Sequence, residues 1–281
     1  MVNSLNIGGT DLKKYAFSTQ IKTHETDYQL HLKTSALLQI FQDAAVNHAL
    51  SLKVGYNDMK KHNLFWVITR FHIEIDRMPK YDETVEVITW PKILLNENGK
   101  TAEPVLKKNK DDFIFLRDFL IRETNGHEII KATSSWVILD FTTKKIQPAS
   151  KLPVTLPQNI SDHAIPVIPQ KISESEYPAL IYRKQVGYSD IDLNLHVNNT
   201  RYADWIMDVF PHNYLEKHSL KALEINYLRE VFWEDRIDLF RGEGEKDNSY
   251  IVEGIEQRTG KAAFRAYLEF QYQKKDNMLQ K

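Results

Sequence analysis

The chain has 281 residues, 42% hydrophobic and 27% charged, with a formal net charge of −1. That balance describes an ordinary globular chain able to bury a sizeable core, and it gives no electrostatic sign of nucleic-acid binding. It contains no Cys, which excludes disulfides, cysteine zinc sites and thiol nucleophiles, so any nucleophile is oxygen, nitrogen or an activated water. No run approaches the roughly 18 apolar residues of a membrane helix, and MVNSLNIGGTDLKKYAF lacks the apolar core of a signal peptide. A cytoplasmic location is the expectation.

The first periodic stretch, YQLHLKTSALLQIFQDAAVNHA, starts with alternation and then places apolar residues at Leu37, Leu38, Phe41, Ala44, Ala45 and His48/Ala49. The change from period 2 to period 3.6 predicts an extended lead into a helix. Strand-like runs follow: LFWVITRFHIEID, TVEVITW, DFIFLRDFLIRE and KATSSWVILDFTT. Six of the ten prolines, at 148, 153, 157, 166, 169 and 178, then fall in one stretch without periodicity. Proline removes ladder donors and favours semi-rigid extended chain, so residues 148–178 read as a linker between domains 1–147 and 179–281.

The second half repeats the pattern. Alternation through Val197 gives way to a helix face of Tyr202, Ile206, Val209 and Phe210, followed by LKALEINYL, RIDLF, SYIVEGIEQ and KAAFRAYLEFQYQ. IEIDRMPKYDETVEV lies over INYLREVFWEDRIDL, with Ile73 on Ile225, Arg77 on Arg229, Tyr81 on Trp233 and Val85 on Ile237. One helix among hairpin-connected strands, twice over, predicts an α+β pseudo-dimer of antiparallel sheets, each packed on a helix.

The densest polar stretch is YSDIDLNLHVNNTRYADWIMD, residues 188–208. A half-buried strand with one wet face would give its alternation, although Asp and Asn are depleted in strands. A calcium loop would open the same way, yet Leu195 stands where that loop needs Gly and Arg201 where it needs Glu. An extended arm instead puts Asp192, Asn194 and His196 on one face, held to the core by the aliphatic residues between them. Asn198 or Asn199 then caps a helix whose first N–H groups can stabilise a carbonyl oxyanion. Laying Tyr28 on Ile191 sets Gln29, His31 and Lys33 opposite Asp192, Asn194 and His196, so the polar set is expected in the second half alone. Met78 falls opposite Glu230, whose apolar neighbours Val231, Phe232 and Trp233 predict a partly desolvated carboxylate suited to a general base.

DIDLNLHVNNTRYADWI resembles the D-x-D-x-N-x-H-V-N-N-x-x-Y-x-x-W signature of the acyl-acyl-carrier-protein thioesterases, the plant FatA and FatB enzymes and their bacterial relatives. NLFWVITRFHIEIDRMPKYDETVEVITW and FLRDFLIRETNGHEIIKATSSWVILD resemble the same family's N-terminal half, so the likeness runs from about Tyr15 to Gln273. It implies a tandem hotdog fold, each sheet wrapped on a long central helix. It also implies hydrolysis of a fatty acyl chain from the phosphopantetheine arm of acyl carrier protein, with no cofactor of the enzyme's own. By motif position the family's catalytic Asp, Asn, His and Glu correspond to Asp192, Asn194, His196 and Glu230. The plant enzymes carry Cys after that Glu where this chain has Val231, which favours a carboxylate mechanism. Either Asp192 or Glu230 activates water, or Asp192 attacks directly to give a mixed anhydride.

Phe41, Ala45 and Trp66 are the expected lining of an acyl pocket in the first half. Arg183 and Lys184, or Lys107, Lys108 and Lys110, are candidate contacts for an acidic carrier protein. The tandem repeat leaves both a monomeric pseudo-dimer and a homodimer open. An acyl-CoA thioesterase, a hydroxyacyl-thioester dehydratase and an inactive acyl-binding module are the alternatives.

Overall fold

A computed structural model describes residues 12–93, 113–157, 159, 162–176 and 178–273. Lys107, Lys108 and Lys110 lie outside them. The chain divides into two compact units, Met1–Lys171 and Ile172–Lys281. Among the described residues no helix is long and apolar enough to cross a membrane.

Unit 1 runs β1 (Tyr15–Gln20), α1 (Thr34–Ser51), α2 (Tyr56–Lys61), β2 (Leu64–Ile75), β3 (Thr84–Lys92), β4 (Phe115–Glu123), β5 (Glu128–Asp140) and β6 (Ile146–Gln147). Its antiparallel sheet has the order β1-β3-β4-β5-β2, with β6 on β5. Alternation decides which face is dry: Ile73, Val85, Val87, Phe119, Ile121 and Ala132 are all fully buried. Helix α1, buried along Leu37, Phe41 and Ala44, packs on β3 and β1. Phe41 stacks with Phe71 and Phe119 at centroid distances of 5.8 and 4.8 Å, so three elements meet in one ring cluster.

Helix α1 stops where Lys53 takes a left-handed φ of 60°. The Lys53 N–H then binds Leu50 O at 3.1 Å and the Val54 N–H binds Ala49 O at 2.9 Å, the two bonds that close a helix C-terminus.

The proline-rich stretch up to Lys171 belongs to unit 1, held by side-chain donors on the sheet and by one donor of its own. Asn159 Nδ2 binds Pro91 O at 2.7 Å, Trp90 Nε1 binds Asp162 O at 2.8 Å, and Arg70 binds Pro169 O at 2.9 Å. Lys92 Nζ reaches Ile165 O at 2.5 Å and forms a fully buried ion pair with Asp118 at 2.9 Å. Burial pushes the Asp118 carboxyl up and the Lys92 amine down, and each opposes that push by attracting the other.

Unit 2 runs β7 (Ala179–Gln185), α3 (Arg201–Asp208), α4 (His212–Leu215), β8 (His218–Tyr227), β9 (Arg236–Glu243), β10 (Ser249–Glu256) and β11 (Lys261–Tyr272). Its sheet order is β8-β11-β10-β9-β7. Helix α3 buries Tyr202, Ala203, Trp205 and Ile206, and Tyr202 meets the ring of Phe264 on β11 at 5.0 Å. Gly254, paired with Phe264 across β10 and β11, leaves room for that ring: a Cβ there would lie 2.1 Å from Phe264 Cε1. The second helix has eight residues where α1 has 18, because Pro211 disfavours helical backbone at Phe210.

Replacing Asp118 by Ala will cost about 3–5 kcal/mol in urea unfolding, since it strands a buried ammonium. Exchanging both partners for apolar residues of similar volume will recover most of that loss.

His48 gives a pH test. An Arg guanidinium only donates, so the 3.1 Å contact with Arg117 makes His48 Nδ1 the acceptor, and Nε2 donates to Leu12 O at 3.0 Å. Burial, then the Arg117 charge, lowers the His48 pKa to about 4. Its folded pKa lies below its unfolded value of ~6.5, so between them the unfolded chain binds the extra proton. Stability therefore falls by on the order of 3 kcal/mol as pH drops through that window. His48→Gln will flatten this part of the stability profile.

Candidate active site

The stretch after β7 folds as a closed turn rather than an extended arm. A short 3-10 turn, Tyr188–Asp190, comes first, and the Asp190 carboxylate, 4% exposed, accepts the Gly187 N–H at 2.9 Å and pairs with Lys184 at 2.9 Å. Ile191 and Val197 then bridge, the Asp192 N–H binds His196 O at 2.9 Å, and the Leu195 N–H returns to Asp192 O at 3.0 Å. The Asp192 carboxylate accepts the Asn194 N–H at 2.8 Å, as Asp side chains do in turns. Leu195 has φ 64°, uncommon for a branched residue.

The alternation therefore does not mark a core-bound arm. Leu193 and Leu195, expected to hold an arm to the core, are 78% and 74% exposed at the tip, and Val197 carries the burial.

The turn is tied to the loop between β8 and β9 by the Val197 N–H, which binds Val231 O at 2.9 Å, with His196 bridging Phe232. This brings His196 and Glu230 together: Nδ1 lies 3.5 Å from Glu230 Oε1, long for a hydrogen bond but of a kind that tightens when substrate binds. The Phe232 ring meets the imidazole edge-on at 4.9 Å. The expected desolvation of Glu230 is not found. Its side chain is 49% exposed because Phe232 and Trp233 themselves face outward.

Helix α3 begins one residue later than expected, at a Thr200 cap. Asn198 Oδ1 accepts the Thr200 N–H at 2.9 Å and the Thr200 hydroxyl at 2.8 Å. The Asn198 N–H is spent on Asp190 O at 2.8 Å, so it is not a free oxyanion donor. The Asn199 N–H has no acceptor among the described residues, so only Asn199 keeps that role.

Tyr202, read from sequence only as part of a helix face, lies behind the turn. Burial first, then nearby Tyr227, Asp192, Glu230 and Asp235, holds its phenol above the ordinary range. In unit 1, Phe41 is packed solid within its ring cluster, and Ala45 is buried on the same helix. Trp66 belongs to a different cluster, against Phe115 at 4.9 Å and bonded to Val54 O at 3.0 Å.

The expected pairing of the two halves also changes. In unit 1 the Asp27 N–H binds His31 O at 2.8 Å, the Leu30 N–H binds Asp27 O at 3.1 Å, and the Asp27 carboxylate accepts the Gln29 N–H at 2.9 Å. Leu30 has φ 62°, and Thr26 bridges Leu32. This is the same turn, and it aligns Asp27 with Asp192, Gln29 with Asn194 and His31 with His196. The polar set is present in both halves. Glu230 opposite Met78 is what separates them.

Arg183 and Lys184, the described candidates for carrier-protein contact, are engaged with Asp238 at 3.2 Å and Asp190 at 2.9 Å.

Two antiparallel sheets in tandem, one ending in an Asp-amide-His turn beside a carboxylate, define a tandem hotdog protein with a candidate hydrolytic site. Models of the acyl-ACP thioesterase N-terminal and C-terminal domains match residues 12–98 and 174–272. The chain belongs to the acyl-ACP thioesterase family. A palmitoyl-acyl carrier protein thioesterase, chloroplastic, of Arabidopsis thaliana is 28% identical over 75% of this chain and 50% of its own length. An oleoyl-acyl carrier protein thioesterase, chloroplastic, of Coriandrum sativum is 27% identical over 86% of this chain and 66% of its own. The chain spans about half the length of the first curated relatives it matches. Among solved structures, an acyl-ACP thioesterase from Bacteroides thetaiotaomicron shares the fold at TM-score 0.78 and 24% identity, covering 92% of this chain and 98% of that one. A 12:0-ACP thioesterase from Umbellularia californica does so at TM-score 0.71 and 21% identity, covering 95% of this chain and 100% of that one.

Asp190→Ala will destabilise unit 2 by about 1–3 kcal/mol in urea unfolding, because the Gly187 N–H and Lys184 lose their buried partner. The corresponding Glu25→Ala, whose bond to the Lys22 N–H is exposed, will cost less.

Proposed function

We propose that the protein hydrolyses the thioester of fatty acyl-acyl carrier protein, releasing free fatty acid and holo-carrier protein and so ending chain elongation. The observation that carries this reading is the approach of His196 to Glu230 at 3.5 Å beside the Asp192 turn, in a chain of the acyl-ACP thioesterase family.

Glu230 is the favoured base. One Asp192 oxygen already holds the Asn194 N–H, and Asp27 does the same work in unit 1, which supports a positioning role for Asp192. Glu230 has no such bond among the described residues, is half exposed, and orients the imidazole. Water loses its proton to the His196–Glu230 pair and its oxygen adds to the thioester carbonyl carbon. The Asn199 N–H and the Asn194 side chain face the developing oxyanion. The C–S bond then breaks, and sulfur leaves as the thiol with the proton returned by His196.

Phosphopantetheine enters with the substrate, and the protein needs no cofactor of its own for this chemistry. Unit 1 supplies the acyl-chain site, with Ala45 and Trp66 the better candidates for its lining since Phe41 is enclosed. The absence of Cys fits a reducing cytoplasm.

Glu230→Gln and His196→Ala will each lower kcat on acyl-carrier protein by about 100-fold or more, with far-ultraviolet circular dichroism unchanged. A folded Glu230→Gln variant with wild-type turnover would remove Glu230 from the mechanism. Equal or faster turnover on acyl-CoA would move the substrate assignment to the coenzyme A thioester.

A further inference from the structure

The two matched turns share more than a backbone path. Each has Asp at its start, an amide side chain two residues on and an imidazole two beyond that. Each is tied to the loop after the neighbouring strand by an equivalent bond, Val197 N–H to Val231 O at 2.9 Å and Leu32 N–H to Pro79 O at 2.8 Å, to which unit 1 adds Tyr81 N–H to Leu30 O at 2.8 Å. His31 bridges Lys80 as His196 bridges Phe232. The residue before each carbonyl is therefore Glu230 in unit 2 and Met78 in unit 1.

The turn itself explains Asp27, whose carboxylate accepts the N–H groups of Gln29 and His31 at 2.9 Å each. It does not explain an imidazole at 31. The ring takes part in no hydrogen bond, ion pair or ring contact among the described residues, so the fold makes no use of it. The surroundings match as well: Tyr28, Leu30 and Tyr81 are exposed around the unit 1 turn, as Leu193, Leu195 and Trp233 are around the unit 2 turn. A polar centre with an apolar rim suits a ligand that is polar at its thioester and apolar along its chain.

We infer that unit 1 holds a second acyl-thioester-binding site, formed by Asp27, Gln29 and His31 and silent because Met78 stands where unit 2 has Glu230. The inference rests on the assignment of the unit 2 turn to thioester hydrolysis. A thioether takes no proton from water near neutral pH, so an acyl thioester seated at this turn is held and not cleaved. A carboxylate at 78 would supply the missing step. Water would give up its proton, its oxygen would bond to the carbonyl carbon, and the C–S bond would break with that proton leaving on sulfur.

The test starts from Glu230→Gln, with thiol release from acyl-carrier protein as the readout. Adding Met78→Glu is expected to raise hydrolysis about tenfold or more above Glu230→Gln alone, and His31→Ala on top of both is expected to abolish the gain. A folded Met78→Glu/Glu230→Gln protein no faster than Glu230→Gln, or a gain that survives His31→Ala, overturns the proposal. If the double variant does not fold, calorimetric titration decides, using palmitoyl-pantetheine with a methylene in place of sulfur. Two equivalents per chain in the wild type and one in His31→Ala support the second site, and one in both overturns it. Loss of the proposed function reads differently: the wild type itself would release no thiol, whereas the titration counts the unit 1 site either way.

Discussion

One main-chain hydrogen bond, from the Val197 N–H to the carbonyl of Val231 at 2.9 Å, sets the geometry on which the candidate site depends. It joins a turn that follows an edge strand to the loop between β8 and β9, two segments more than 30 residues apart in sequence. Because side chains alternate along the backbone on either side of that bond, the residues flanking it, His196 and Glu230, are carried to within 3.5 Å of each other. The buried Asp190 fixes one end of the turn through Gly187 and Lys184, and Asn198 fixes the other by capping Thr200. The imidazole and carboxylate are thus positioned mostly by backbone, which leaves their side chains available for chemistry.

The sheets and the first helix were legible in the sequence because burial wrote itself into their periods. Val85 and Val87 alternate with Thr84 and Glu86, Phe119 and Ile121 fall at the same period in a strand buried on both faces, and Leu37, Phe41 and Ala44 recur at helical spacing. The turn was not legible for the same reason. Its aliphatic residues alternate with polar ones as a strand's would, yet Leu193 and Leu195 face outward. Nothing in a leucine announces a left-handed backbone, which Leu30 and Leu195 both adopt. Hydrogen bonds that close each turn on itself, from the Leu195 N–H to Asp192 O and from the Leu30 N–H to Asp27 O, go with that conformation. The backbone sets Asp27, not Gln29, opposite Asp192, so the polar set repeats where residue type alone suggests that it does not.

The second helix and the proline-rich stretch teach a related point. The apolar spacing of Tyr202, Ile206, Val209 and Phe210 promised a longer helix, but Pro211 overrides it through backbone sterics alone. The prolines suggested a semi-rigid linker between domains, yet Trp90, Arg70 and Lys92 on the unit 1 sheet donate to its carbonyls as far as Pro169, and Asn159 within it donates back to Pro91 O. Sequence shows that proline cannot donate. It does not show which distant groups will donate to the carbonyls.

Glu230 and Met78 occupy equivalent places in two units written separately into one chain. A homodimer of single units must carry the same residue at both places, because one codon specifies both. Tandem duplication lifts that constraint, so one copy is free to lose a carboxylate while its partner keeps it, and the two halves can divide labour that identical subunits are obliged to share.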